Sequence, residues 1–172
     1  HLALAYDRPR APTQLPHLIF NLTTRPRFMN VYLGLGSNEG DRCDYLRQGI
    51  EHLRAAQIRI DAVSPVVESP ALLPDDAPAS WNKPFMNLVL RASLDANTTT
   101  AHGLRDLIKT IEDSLGRDRT DRWSPRPLDI DILLWGREII RTDLLTIPHP
   151  DLLRRAFVLS PLVHLEPALR IP

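Results

Sequence analysis

Asp129 and Asp131, in the stretch RWSPRPLDIDILLWG, are the residues whose types and spacing most readily suggest chemistry. Leu128, Ile130, Ile132 and Leu134 alternate with them, the period of a strand with one face turned to a core. Both carboxylates then share the opposite face, about 7 Å apart at their backbones. Such a pair repels, and burying it requires a counter-charge, because isolated ions resist leaving water. Arginine is one candidate, since Arg117, Arg119, Arg122 and Arg126 crowd the loop just upstream. Magnesium is the other: it takes carboxylate oxygens and shares its remaining positions with water and phosphate. The plainer alternatives are structural salt bridges or a solvent-facing edge strand. Guanidinium groups this dense beside paired carboxylates favour a polyanion bridged by metal.

Other residues suit a flat ligand. Phe85 and Phe157 are core residues by default. Asn87, two positions after Phe85, shares its strand face, and an amide beside an aromatic ring equips a site for a heterocycle, one group stacking and the other pairing with a polar edge. Trp123 sits amid charges, either as an anchor for the arginine loop or as part of a lid. His149, held between Pro148 and Pro150, is a stiffly presented group that could meet phosphate. In GLGSNEG the glycines Gly34, Gly36 and Gly40 miss the dinucleotide spacing and no Walker lysine follows, so they are expected to let a strand end turn sharply near a ligand or helix. His102 and His164 have no ligand-spaced neighbours.

These groups need a scaffold. From Asn30 the chain reads as strand (NVYLGLGSN), helix (DRCDYLRQGIEHLRAA, capped by Asp41), strand (IRIDAVSPVVE, broken by Pro65), a proline-laden loop, strand (FMNLVLRASL), helix (NTTTAHGLRDLIKTIEDSLG) and the DIDILLW strand. The second helix carries an apolar stripe of Leu104, Leu107, Ile108, Ile111 and Leu115, with Gly116 placed to end it. Prolines in the C-terminal stretch argue against a long helix there. This order fits an α+β sandwich of the ferredoxin-like kind, an antiparallel sheet with helices packed on it.

The bulk properties fit one domain with a terminal extension: 172 residues, 43% of them hydrophobic, with 21 basic side chains matched by 21 acidic ones. Charge balance offers no field for nucleic acid or a membrane surface. Cys43 is the single cysteine, which excludes an internal disulfide framework and suits a reducing compartment, the cytoplasm or, in a eukaryote, an organelle matrix. No apolar run is long enough for a membrane span.

Four segments in order, YLGLGSNEGDR, FMNLVL, IEDSLGRDRTDRWSPRPLDIDILLWG and IPHPDLLRRAFVLSPLVHLEP, resemble the 6-hydroxymethyl-7,8-dihydropterin pyrophosphokinases of folate biosynthesis. RWSPRPLDIDILL is close to that family's signature. The resemblance implies the ferredoxin-like fold and transfer of pyrophosphate from ATP to the pterin's hydroxymethyl oxygen, with AMP leaving. It implies that Asp129 and Asp131 hold two magnesium ions and that Arg117 and Arg126 stabilise the transferring group. Glu112, Arg119, Trp123, His149 and Arg155 then belong to the ATP site. Phe85 and Phe157 sandwich the pterin, and Asn87 reads its edge with backbone groups around Ser69 and Leu72. Departures from the family pattern are Ser124 in place of glycine, Ala71 in place of proline, Phe85 where tyrosine is frequent, and a shorter arginine loop.

The resemblance leaves residues 1–29 outside a pyrophosphokinase domain spanning 30–172. That extension is expected to be a linker, a tag remnant or the tail of an upstream aldolase-like domain, because family members occur fused to dihydroneopterin aldolase or dihydropteroate synthase. Two other readings stand beside the kinase. A metal-dependent phosphohydrolase or nuclease also uses paired aspartates and arginines. A non-catalytic ferredoxin-like ligand-binding domain would leave the carboxylate pair without a task.

Overall fold

The computed structural model describes residues 27–118, 121 and 123–172. The strands expected before residue 27, and the expected places of Arg119 and Arg122, lie outside these residues.

The central strand β1, Phe28–Ser37, is mostly apolar and is paired on both sides. It starts upstream of the expected Asn30, because Phe28 already pairs with Asp95. The Arg27 backbone N–H also donates to Asp95 Oδ1 at 3.1 Å. Helix α1, Arg42–Ala55, opens on Asp41, whose carboxylate accepts the Asp44 N–H at 3.0 Å. Strands β2 (Arg59–Val63) and β3 (Val67–Ser69) are two pieces separated around Pro65, as expected. Strand β4, Phe85–Asp95, accompanies β1 antiparallel along its whole length. Helix α2, Ala101–Ser114, is capped by Thr100, and Gly116 beyond it takes a left-handed φ of 87° that disfavours side chains. Strand β5, Asp129–Trp135, completes an antiparallel sheet ordered β2-β4-β1-β5, with β3 also pairing to β4.

Alternation divides the strands between two cores. Val31, Leu33, Leu35, Leu88, Leu90, Ile130 and Ile132 pack with Leu46, Leu53, Leu104, Ile108 and Ile111 of α1 and α2. Tyr32, Val89, Leu133 and Leu134 face the other way, onto Leu152, Val158 and Leu162. The last two belong to a ten-residue helix α3, Ala156–Leu165, which forms despite Pro161 within it. The sheet is therefore covered on both faces. This also corrects the expected phase of β5. The β1–β5 register slips between Tyr32, opposite Leu134, and Leu33, opposite Ile132. The bulge at Leu133 turns Leu134 away from the face of Leu128, Ile130 and Ile132, while Asp129 and Asp131 stay together as expected. Beyond β5 a small hairpin of β6 (Ile140–Arg141) and β7 (Thr146–Ile147) leads into His149. No helix among the described residues is long and apolar enough to cross a membrane.

Candidate active site

Strand register assembles the centre of the site. Gly36 on β1 lies opposite Asn87 on β4 and opposite Asp129 on β5. Gly34, two positions back on the same face, lies opposite Asp131. With neighbouring strands about 4.8 Å apart, the Asn87 and Asp129 backbones stand roughly 10 Å apart across a row whose middle member has no side chain. A Cβ at Gly36 would come within 3.1 Å of Asn87 Oδ1 and 3.3 Å of the Phe85 ring. The glycine in GLGSN therefore keeps the floor clear between an amide and a carboxylate, a sharper role than the expected strand-end turn.

This floor belongs to a cavity of about 740 Å³ on the α3 side of the sheet. Ser69, Leu72, Phe85 and Asn87 line one end; Arg117, Trp123, Arg126, Asp129, Asp131, His149, Arg155 and Phe157 also line it. Of the expected site residues that the structure describes, only Glu112 is absent from this cavity. At the ring end, Asn87 is buried and its Nδ2 donates to Ser69 Oγ at 3.0 Å. Phe157 lies in the first turn of α3, two positions after Arg155, whose guanidinium carbon is 6.0 Å from its ring centre.

At the other end the two carboxylates are held differently. Asp129 Oδ1 accepts from Arg117 Nη1 at 2.5 Å, and Oδ2 meets Arg126 Nη1 at 3.3 Å. Among the described residues, Asp131 Oδ2 has longer contacts, to Arg155 Nη1 at 3.5 Å and His149 Nε2 at 3.7 Å. Burial and the neighbouring Asp129 charge outweigh Arg155, Arg117 and Arg126, and the Asp131 carboxyl is pushed up to about 7. Among the described residues, then, arginine compensates Asp129 at close range, while Asp131 remains under-compensated.

His149 is presented as its prolines suggest. Its backbone N–H donates to the Leu133 carbonyl at 3.0 Å, and the Asp151 N–H donates to Nδ1 at 3.2 Å. A ring nitrogen that accepts carries no proton, so in the neutral imidazole Nε2–H faces Asp131. Burial, then Arg155, lowers the pKa of His149 and favours this neutral form. Asp151, not anticipated from sequence, holds Arg155 at 2.8 Å.

Glu112 looks inward. It is 3% exposed, and its Oε1 accepts from Arg117 Nη1 at 2.6 Å and from the Ile130 N–H at 2.8 Å. One α2 carboxylate thus fixes both a site arginine and the backbone between Asp129 and Asp131. Glu112 also lines a second cavity, of about 370 Å³, walled by Arg105, Ile108 and Lys109 of α2, by Ile132, and by residues 142–146 of the hairpin. Sequence reasoning missed this cavity, whose outer wall is a two-residue-strand hairpin with no readable periodicity. Arg117, Asp129, Asp131, His149 and Pro150 line both cavities. The carboxylate pair therefore stands at the junction of two cavities.

Comparison with known proteins agrees with this architecture. The family model for 7,8-dihydro-6-hydroxymethylpterin-pyrophosphokinase (HPPK) matches residues 32–167. The chain is 42% identical over 141 residues to the 2-amino-4-hydroxy-6-hydroxymethyldihydropteridine pyrophosphokinase of Aquifex aeolicus, covering 80% of each. It is 39% identical over 142 residues to a folate synthesis bifunctional protein of Chlamydia trachomatis, covering 81% of this chain and 31% of that protein. The chain thus spans less than a third of that bifunctional relative. Among solved structures, Plasmodium falciparum HPPK-DHPS superposes with a TM-score of 0.60 at 14% identity, over 87% of this chain and 40% of that one, a likeness of fold. By its sequence match across both cavities and the strand between them, the chain belongs to the 7,8-dihydro-6-hydroxymethylpterin-pyrophosphokinase family.

Proposed function

We propose that this chain transfers the terminal pyrophosphate of ATP to the hydroxymethyl group of 6-hydroxymethyl-7,8-dihydropterin and releases AMP. The carrying observation is the meeting of two cavities at Asp129 and Asp131. A bisubstrate transfer needs its donor and acceptor to reach one point from separate seats. The larger cavity takes the pterin, with Phe85 and Phe157 on its faces and the amide of Asn87 at its edge, beside backbone groups near Ser69 and Leu72. The second cavity takes the nucleoside, and the triphosphate crosses the junction. There the acceptor oxygen attacks the β-phosphorus as its bond to the oxygen of the α-phosphate breaks.

Magnesium fits the donor set. Among the described residues no cluster of three or more His, Cys, Asp or Glu side chains could hold an ion alone. Two carboxylates that leave positions for water and phosphate are what magnesium ordinarily uses. Asp129 and Asp131 would hold it, two ions in our reading, and when bound it supplies neutralisation of the phosphate charge. Arg117 and Arg126 bring planar donor forks to the transferring group, Trp123 lines the same cavity, and Arg119 joins the ATP-binding residues by family resemblance. Arg155 and the Nε2–H of His149 donate toward the phosphates beside Asp131. Glu112 serves the nucleotide side by fixing Arg117 and β5.

We place this activity in the cytoplasm or an organelle matrix, supported by the single cysteine and by a Pisum sativum relative named as mitochondrial. Fusion to another folate enzyme, a dihydroneopterin aldolase or a dihydropteroate synthase, is the corresponding proposal for the whole polypeptide, supported by the bifunctional relatives. The test is to incubate the chain with ATP, magnesium and the hydroxymethyl-dihydropterin and to identify the nucleotide released. AMP with a diphosphorylated pterin is expected. ADP or orthophosphate formed without acceptor would support a phosphohydrolase instead, and ligand binding without turnover would support a binding domain.

A further inference from the structure

Asn38 ends the GLGSN run, and the roles above leave it unused. It is 3% exposed, and its polar groups bind the backbones of two distant segments. Its Oδ1 accepts the Arg126 N–H at 2.8 Å, and its own backbone N–H donates to the Arg126 carbonyl at 3.2 Å. Its Nδ2 donates to the Lys83 carbonyl at 3.2 Å. A backbone N–H only donates and a carbonyl only accepts, so these two partners fix which way the amide points. The segments it joins carry opposite ends of the site. The Arg126 guanidinium lies 3.3 Å from Asp129 Oδ2, at the phosphate end. Lys83 precedes Phe85, where β4 begins at the ring end.

We propose that Asn38 is a positioning residue: a clip that sets the arginine-bearing loop at a fixed distance from the strand that seats the acceptor. This rests on the pyrophosphoryl-transfer reading. Asn38 lines neither cavity, so it acts on how the two seats are registered against each other, and its loss falls on kcat more than on either binding step. Alanine removes both side-chain bonds. Aspartate keeps an acceptor for the Arg126 N–H and loses the donor to Lys83.

The experiment uses the full chain. It combines steady-state kinetics, separate equilibrium binding of a non-hydrolysable ATP analogue and of the pterin, and amide exchange at Arg126. For Asn38→Ala, kcat is expected to fall at least ~tenfold while each affinity stays within about threefold. Exchange at the Arg126 amide should quicken at least ~tenfold. Asn38→Asp should keep the Arg126 protection and still lose turnover, and it carries the test if the alanine variant does not fold. A merely structural residue would lower the melting temperature and leave kcat of the folded fraction unchanged. Turnover within about threefold of the parent in either folded variant, or unchanged Arg126 exchange in the alanine variant, overturns the clip. A parent chain that releases no AMP overturns the transfer reading, and the exchange measurement then still decides the clip.

Discussion

Replacing Asp131 by asparagine should stabilise the metal-free protein, increasingly so as the pH rises. In the unfolded chain this carboxyl ionises near its ordinary 3.8, and in the fold it is pushed up to about 7 by burial and Asp129. Between those values the native state holds the extra proton, so the parent loses stability as pH climbs through the window. A displacement that large would cost roughly 4 kcal/mol above neutral pH, at about 1.4 kcal/mol per tenfold. The Asp131 side chain is 37% exposed, however, and solvent screening cuts this to about 1–2 kcal/mol. For a chain of this size that corresponds to ~3–6 °C in melting temperature. The assay is thermal unfolding of parent and Asp131→Asn in chelator-treated buffer from about pH 4 to about pH 8, and the trend of the difference with pH is the readout. The variant's relative gain should grow by ~3–6 °C across that range. A difference that is flat with pH, or a parent that gains on the variant as pH rises, would refute the claim that Asp131 is under-compensated without a cation.

Further outcomes follow from the same contacts. Glu112→Ala strips buried acceptors from Arg117 and the Ile130 N–H, and should cost about 3–5 kcal/mol. The melting temperature should drop on the order of 10 °C, and Glu112→Gln, which keeps an acceptor, should lose clearly less; equal losses would sink the clamp. Asn87→Ala should weaken pterin binding by ~1–3 kcal/mol with nucleotide affinity unchanged, and calorimetry showing equal losses for both ligands would displace Asn87 from the ring end. Gly36→Ala, whose methyl group would press on Asn87 Oδ1 and Phe85, should likewise weaken the pterin selectively; an unaffected pterin affinity would contradict the clear floor.

The sheet, α1 and α2 were legible because their signals are local. Asp41 caps α1 as its position suggests, Gly116 follows the end of α2, and Pro65 divides β2 from β3. The facing of Asp129 and Asp131 followed from a period of two. Leu134 did not follow, because a bulge is set by pairing with β1 and leaves no mark in the strand's own alternation. Helix α3 was obscured by Pro161, yet its apolar residues cover the second face of the sheet and tertiary burial outweighs the proline. The site residues were named from motifs, but the row Asn87–Gly36–Asp129 exists only through register between strands far apart in sequence. The hairpin wall of the second cavity was illegible for a similar reason, since strands of two residues carry no pattern.

On the proposed function, Asp129 and Asp131 grip a divalent cation that joins the nucleotide to this sheet. Calorimetric titration of a non-hydrolysable ATP analogue, with and without magnesium, tests it most directly in the parent and in the Asp129→Asn/Asp131→Asn double variant. Magnesium should tighten binding to the parent by at least ~tenfold and leave the double variant's affinity nearly unchanged. Equal affinity in the parent with and without magnesium, or a double variant that keeps the full gain, would contradict it.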